Sequence, residues 1–467
     1  MAVFHERDYI AHKLISEIEN DYILDIASAR GYVELLEWCK NHLKHLIWSY
    51  GAINNASKYG HVSVLEWWKY SQLPLKYNEG AMDNASTYNQ IHVLDWWRNS
   101  GLPLFYSFQS AYGASINSHM DVLNWWLASG LTITKRFSMI HEASAKGLVH
   151  ILEWWRMSGI VRHWPEHNID HAATQGHVEV LKWWQSTGLD FTFTNRAIEG
   201  ASYHGHTNVL DWFLHNDFEV NWNPAICLSK ASLQGHLHVL KWWKDSRLPL
   251  DDEKRIGDSH KLILAGRVST LNSVIGYGYV DILEWWRTSG MSIHWKKVED
   301  ALIKNKITVP VLKWWNQHFG LSSRIHSDLI ANACLFGQVD ILEWLYAHLK
   351  SFPKDLNYIK NASSEGNVNV LEWWKNKGLP FIYNKYCLDE SIPHVSVLEW
   401  WYNSGYTMKY TSKLLDNASF CGYIDVLEWW NTHDLPLFYT ERAMDRASQQ
   451  ELIDVLDWWL QSGLHLK

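Results

Sequence analysis

Apolar positions along this chain gather in a short phrase that keeps returning. In the stretch Val62–Lys69, the residues Val62, Val64, Leu65, Trp67 and Trp68 are apolar, while Glu66 and Lys69 are polar. On a helical wheel the apolar set covers an arc well over ~100°. That is too wide for one buried face and suits a helix clasped between two neighbours. The polar pair recurs as Asp95/Arg98, Glu153/Arg156, Glu284/Arg287 and Glu372/Lys375, and three-residue spacing puts both members on one open side. It therefore reads as the solvated face.

The segment Asn78–Gly101 holds a whole unit. Asn78 is a good N-cap for a first helix that carries the small residues Ala81 and Ala85. The same register holds Ser49, Ser107, Thr194, Asn223, Asp355, Asn384, Thr411 and Thr440. In ten of the fifteen units a Gly stands where this helix should stop, as a left-handed C-cap requires. A second helix then carries the Trp-rich phrase. Pro and its predecessor disfavour helix, so "LPLKY" predicts an extended finger.

The phrase has a fixed period. Its first Trp falls at 38, 67, 96, 125, 154, 183, 212, 242, 285, 314, 344, 373, 400, 429 and 458, mostly 29 residues apart. All 31 tryptophans obey this register: fifteen at the first position, twelve at the next, and four (Trp48, Trp164, Trp222, Trp295) ten residues after a first Trp. A fixed period of this kind marks a stacked-repeat protein. Adjacent tryptophans could stack sugars or bases, but recurrence at one register inside a helix assigns them to the core between units. The expected fold is all-α, an α-solenoid of about 15 stacked helix-turn-helix repeats with short extended fingers.

The phrase "ASxxGHVxVLEWWxxSG" resembles the ankyrin repeat. Ala56-Ser57 stands for its paired alanines, Gly60-His61 for its Gly-His turn, Val64-Leu65 for its paired valines and Trp67-Trp68 for two leucines. Asp83 stands where the family has His. The resemblance covers about Ile23 to Leu464, closest to Trp-rich "LEWW" ankyrin-like arrays. The departures are a shortened repeat and the missing Thr-Pro helix start. The resemblance implies partner contacts from the fingers and from the two variable positions before the turn. Here those candidates are Lys58, Tyr59, Thr87, Tyr88, Lys146, Gln175, Tyr203, His204, Gln234, Tyr277, Phe336 and Glu365.

Irregular units suggest divisions. Residues 1–22 are expected to form an N-terminal cap or partial repeat, and 23–250 a first repeat block. An insertion loop is expected at 251–270 and a second repeat block at 271–467. Pro310 and Pro393 enter turns or helix starts, so weakened stacking is expected there.

Composition narrows the function. Net charge is -8, which argues against nucleic acid as a partner because dedicated binders carry a basic footprint. Five scattered Cys without CxxC spacing suit an intracellular, cytoplasmic chain, the nucleus included. No apolar run is long enough to span a membrane. Six His recur once per unit at the turn (His61, His119, His177, His206, His236, His394) and read as turn residues bonding backbone, not as metal ligands. No catalytic motif, cofactor fingerprint or metal-ligand spacing is present. The expected function is a non-catalytic protein-protein interaction scaffold whose protein partner and oligomeric state the sequence leaves open. The alternative is a ligand-binding array in which aromatic residues stack glycans or nucleobases.

Overall fold

The computed structural model describes residues 22–133, 137–164, 169–216, 218–220, 222–250, 258–391, 394–433 and 435–464. Among the described residues there are 30 helices and no strands, a helical-repeat solenoid. The expected N-terminal cap lies outside the described residues except for Tyr22. By its packing the chain divides into two compact units, Met1–Trp242 and Trp243–Lys467.

Each repeat is a pair of antiparallel helices, such as Gly51–Lys58 followed by Val62–Tyr70. First helices of successive pairs lie side by side, as Gly51–Lys58 does on Gly80–Thr87. Small residues permit that approach: Ala52, Ala56, Ala81 and Ala85 are all fully buried between them. At Gly113 even a Cβ would overlap the Thr87 hydroxyl of the preceding pair. Second helices meet through larger groups, and Val64, Leu65 and Trp68 form the buried stripe of one of them.

The expected caps act at the helix starts. Ser107 and Thr194 accept from the backbone N–H two residues on, at 3.0 and 3.1 Å. Asn78 does the same for Gly80 at 3.0 Å. The turns use left-handed residues, and Gly176 shows both reasons for glycine. Its φ is +82°, and a Cβ there would stand 2.6 Å from His206 Nδ1 of the next pair.

Two expectations of weakened stacking have visible counterparts. The first helix shrinks to Trp295–Glu299 in one pair and to Tyr386–Asp389 in another. Pro310, however, leaves its helix intact. It sits in the first turn of Val309–Phe319, where no intrahelical N–H is required. Pro393 lies outside the described residues.

The expected insertion loop at 251–270 needs correction. Residues 251–257 lie outside the described residues, but 258–270 belong to one helix, Asp258–Tyr277. The helical period is present once the repeat phrase is set aside. Arg267, Leu271, Val274 and Ile275 are buried at spacings of four, three and one. Buried Arg267 donates from Nη1 to the Ser292 carbonyl at 3.1 Å.

Candidate functional site

A binding surface on a repeat protein must be made from residues that the stacking leaves over. The recurring polar residues come first, because most of them bridge neighbouring pairs. The second Trp of the phrase is enclosed: Trp68, Trp97, Trp126, Trp155 and Trp184 are at most 1 % exposed. Its buried indole N–H needs an acceptor. Ser of the preceding first helix supplies it, as in Trp68 to Ser28 at 2.9 Å, Trp97 to Ser57 at 3.1 Å and Trp155 to Ser115 at 3.0 Å. In these units the "AS" serine is thus the acceptor for the next unit's tryptophan, whereas the Trp184 N–H and the Ser144 hydroxyl are buried without such a partner. A sugar- or base-stacking platform cannot be built from these rings, which have no open face.

The first Trp makes a second bridge. Its N–H donates to the acid that precedes the first Trp of the previous unit. Trp67 bonds Glu37 at 2.7 Å, Trp96 bonds Glu66 at 2.5 Å, Trp183 bonds Glu153 at 3.0 Å and Trp429 bonds Glu399 at 2.7 Å. The expectation that these acids only mark a solvated face is corrected. Each is a rung between pairs, exposed at Glu37, Glu66 and Glu399 and half-buried at Glu153, and some also take the paired cation: Arg156 reaches Glu153 and Arg287 reaches Glu284 through Nη2 at 2.5 and 2.6 Å.

Four of these carboxyls, Glu37, Glu153, Glu284 and Glu399, are held low. Hydrogen bonds from Arg156 and Arg287, aided by the Trp183 and Trp314 N–H groups against an opposing burial effect, hold Glu153 and Glu284 down to about 2. The Trp67 and Trp429 N–H groups are the main cause of lowering at Glu37 and Glu399. A carboxyl lowered in the folded state stabilises above its unfolded value of 4.5. That contribution is lost as pH falls from there through about 2. Urea midpoints measured across this range should therefore drop on acidification. The drop should be shallower in a Glu153→Gln/Glu284→Gln variant, and equal slopes would remove these rungs from the account.

A third bridge is buried. Asp83, 6 % exposed, accepts from Ser107 N at 2.9 Å and from Ser107 Oγ at 2.5 Å, and also takes the Ser110 hydroxyl. Asp170, Asp389 and Asp416 grip Thr194, Thr411 and Thr440 in the same two-pronged way at 2.6–2.9 Å. Asn54 and Asn78 replace the motif with an amide pair at 2.6 Å. The helix cap of each such unit is thus seated in a carboxylate of the unit before.

The turn His makes a fourth bridge. Ring Nε2 of His61 donates to the Ala29 carbonyl at 3.1 Å and that of His119 to Thr87 at 3.1 Å. His92 and His238 bond the Gly60 and Gly205 carbonyls at 3.0 and 2.8 Å. His206 and His236 are pushed below the usual imidazole range, first by burial and then by neighbouring His rings. Among the described residues no group of three or more His, Cys, Asp or Glu is placed to hold a metal ion.

The sequence-expected contact residues lie along the turn edge, beside these bridges. Tyr59, Tyr88, Tyr203 and Tyr277 are 38–60 % exposed. Lys146, Gln175, His204, Gln234 and Glu365 are exposed, and Lys58, Thr87 and Phe336 are half-buried. Three of them form a cluster: Lys58 Nζ lies 5.0 Å from the Tyr59 ring centre and 4.6 Å from that of Tyr88. The Tyr88 and Tyr59 hydroxyls raise the Lys58 ammonium above its ordinary range. Tyr203 meets His204 edge-on at 4.9 Å. Thr87 is turned inward, its hydroxyl bonded to the Asp83 carbonyl at 2.8 Å.

Two grooves accompany this edge. In the Met1–Trp242 unit, an open groove of about 1030 Å³ runs between first helices, lined by His141, Asp170, His171, Thr174, Gln175, Arg196 and Glu199 among others. His141 and His171 stack at 4.9 Å. Its acids are already engaged, Asp170 by Thr194 and Glu199 by Lys230 at 2.7 Å. Gln175 joins this groove to the turn edge. In the Trp243–Lys467 unit, a groove of about 610 Å³ lies among the fingers, lined by Lys385, Tyr402, Tyr406, Lys409, Tyr410 and Phe438 among others. Sequence reading missed these residues, drawn from two fingers, a helix start and the end of a second helix, as a group. The available signal was Lys immediately before an aromatic residue in "KY" at 385–386 and 409–410.

No described helix is long and apolar enough to cross a membrane. No protein-family model matches the chain, and no curated protein matches it. Among solved structures, the chain is similar to the pentatricopeptide repeat protein PPR10 in complex with an 18-nt psaJ RNA element, in two crystal structures. Each has a TM-score of 0.32 and 12 % identity, over 99 % of this chain and 76 % of that one. What is common is the helical-repeat class, and the finer resemblance to ankyrin repeats stays a sequence-level one. The expectation that nucleic acid is disfavoured as a partner stands against the fact that these similar chains are RNA complexes. It rested on whole-chain charge, whereas a stack meets its partner one edge at a time.

Proposed function

We propose that this chain is a non-catalytic scaffold that binds a protein partner along the turn edge of its helix pairs. The observation that carries this reading is the Lys58–Tyr59–Tyr88 cluster. Stacking accounts for the recurring Trp, Ser, Asp and His residues, each of which bridges two pairs. It does not account for large aromatic rings about half exposed at the pre-turn positions. Tyr concentrates binding energy in protein interfaces because it offers a broad rigid face with a polar tip. The residues also differ from unit to unit, which is what partner selection needs. The first-helix groove ending at Gln175 gives the same edge a concave wall in the Met1–Trp242 unit.

The test compares partner capture by the full chain and by a Tyr59→Ser/Tyr88→Ser variant. Both substitutions lie at exposed positions, so circular dichroism should be unchanged. Captured protein should fall by about tenfold, in keeping with loss of one or two interface anchors worth ~1–2 kcal/mol each. Capture that is unaffected by the substitutions, or that disappears on nuclease treatment, would sink the protein-partner reading.

A further inference from the structure

We propose that the finger groove of the Trp243–Lys467 unit is a binding site for single-stranded nucleic acid. Bases would stack on Tyr402 and Phe438, and phosphates would meet Lys385 and Lys409. The site is separate from the turn edge and does not depend on it.

The groove combines two features. Its rings include two with broad open faces: Tyr402 is 44 % exposed and Phe438 is 50 % exposed. Its only charged lining residues among those described are the two lysines, both exposed, with no carboxylate beside them. Acids nearby are occupied: Glu399 accepts from Trp429 and Asn403 at 2.7 Å each, and Asp389 and Asp416 hold Thr411 and Thr440. These acids keep their charge but turn their oxygens to protein donors, so the groove's own charged lining is cationic although the chain as a whole is acidic.

The walls are set before any ligand arrives. Tyr410 donates its hydroxyl to the Pro436 carbonyl at 2.7 Å and packs on Trp430 at 4.6 Å. Tyr406 lies flat on Phe381 at 4.3 Å and 11°. Lys409 Nζ is held 4.4 Å from the Tyr383 ring centre. Tyr402 stands edge-on to His433 at 4.8 Å. Fixed walls leave less to be ordered on binding.

The combination selects among ligand classes. A neutral glycan would use the rings and leave the lysines without counter-charges. An acidic peptide would use the lysines and leave the rings idle. A nucleotide strand presents a π-face and a phosphate in each residue, which matches both, and stacking of this kind is tolerant of base identity.

The test uses the full chain and a fluorescein-labelled oligouridylate, with anisotropy read at several salt concentrations. Binding should weaken as salt rises. Lys385→Gln/Lys409→Gln should raise Kd by about tenfold or more and flatten the log–log salt slope by about 1.4, since each phosphate contact in a single strand contributes ~0.7. Tyr402→Leu/Phe438→Leu should weaken binding by at least about tenfold with the salt slope kept. Lys313→Gln, at an exposed position outside the groove, should change nothing. The proposal is overturned if the oligonucleotide does not bind, or if the double-lysine variant binds it equally well. It also fails if polyglutamate competes as well as the strand, or if uridine monophosphate does so at equal concentration.

Discussion

Trp68→Ala should cost about 3–5 kcal/mol of unfolding free energy, the range for emptying a buried large aromatic site. Trp68 is 1 % exposed. Its ring meets Trp67 edge-on at 5.1 Å and Trp48 at 5.7 Å. Its N–H is also the donor to Ser28 Oγ, and Ser28 is fully buried. Truncation therefore opens a cavity and leaves a hydroxyl without its partner, two losses that add. Trp68→Phe separates them, because it keeps most of the ring and removes the N–H. It should cost only about 1 kcal/mol. A repeat stack unfolds as coupled neighbours and not always in one step. The measurement is thus urea unfolding by circular dichroism together with hydrogen exchange in the helices Ile23–Arg30 and Val62–Tyr70. A loss below about 1 kcal/mol for Trp68→Ala would contradict its place between pairs.

Asp83→Ala should be the next most damaging change, at about 2–4 kcal/mol. The carboxylate accepts the Ser107 N–H at 2.9 Å and its hydroxyl at 2.5 Å, and takes the Ser110 hydroxyl as well. Hydrogen bonds to a charged group are worth ~1.5–3 kcal/mol, and a buried donor left without an acceptor adds its desolvation cost. Ser107 also caps its own helix through Gln109 N, so loosening it disturbs the start of Phe108–Ile116. Asp83→Asn keeps one acceptor oxygen and should cost less than half as much. A double-mutant cycle with Ser107→Ala isolates the contact. Additivity of the two single effects would show that Asp83 and Ser107 do not act together.

Much of this arrangement was legible in the chain. The period fixed the number of units, and the two-residue Trp phrase fixed which face of the second helix is enclosed. Gly at the stop position told where each first helix ends. The pre-turn candidates stood out in the chain as varied positions beside a turn that holds Gly in ten of the fifteen units. What escaped was the purpose of residues that look ordinary on one unit. Ser57, Glu66 and Asp83 are acceptors for groups 24 to 40 residues ahead, and a single unit contains the acceptor without its donor. The helix over 258–270 escaped because the repeat register, used as a ruler, skips a stretch with its own helical spacing.

The finger groove escaped for a related reason. Lys385 stands at the start of one first helix, Lys409 in the finger that closes that unit, and Phe438 in the finger of the next. No local pattern announces them together.

The sequence by itself determined the repeat, its helices and its core, because helix caps, turns and apolar periodicity act over a few residues. The tertiary structure alone decided which exposed residues come together, and which polar residues are bound across pairs. Those contacts depend on the offset between neighbouring units, which arises only when the units stack.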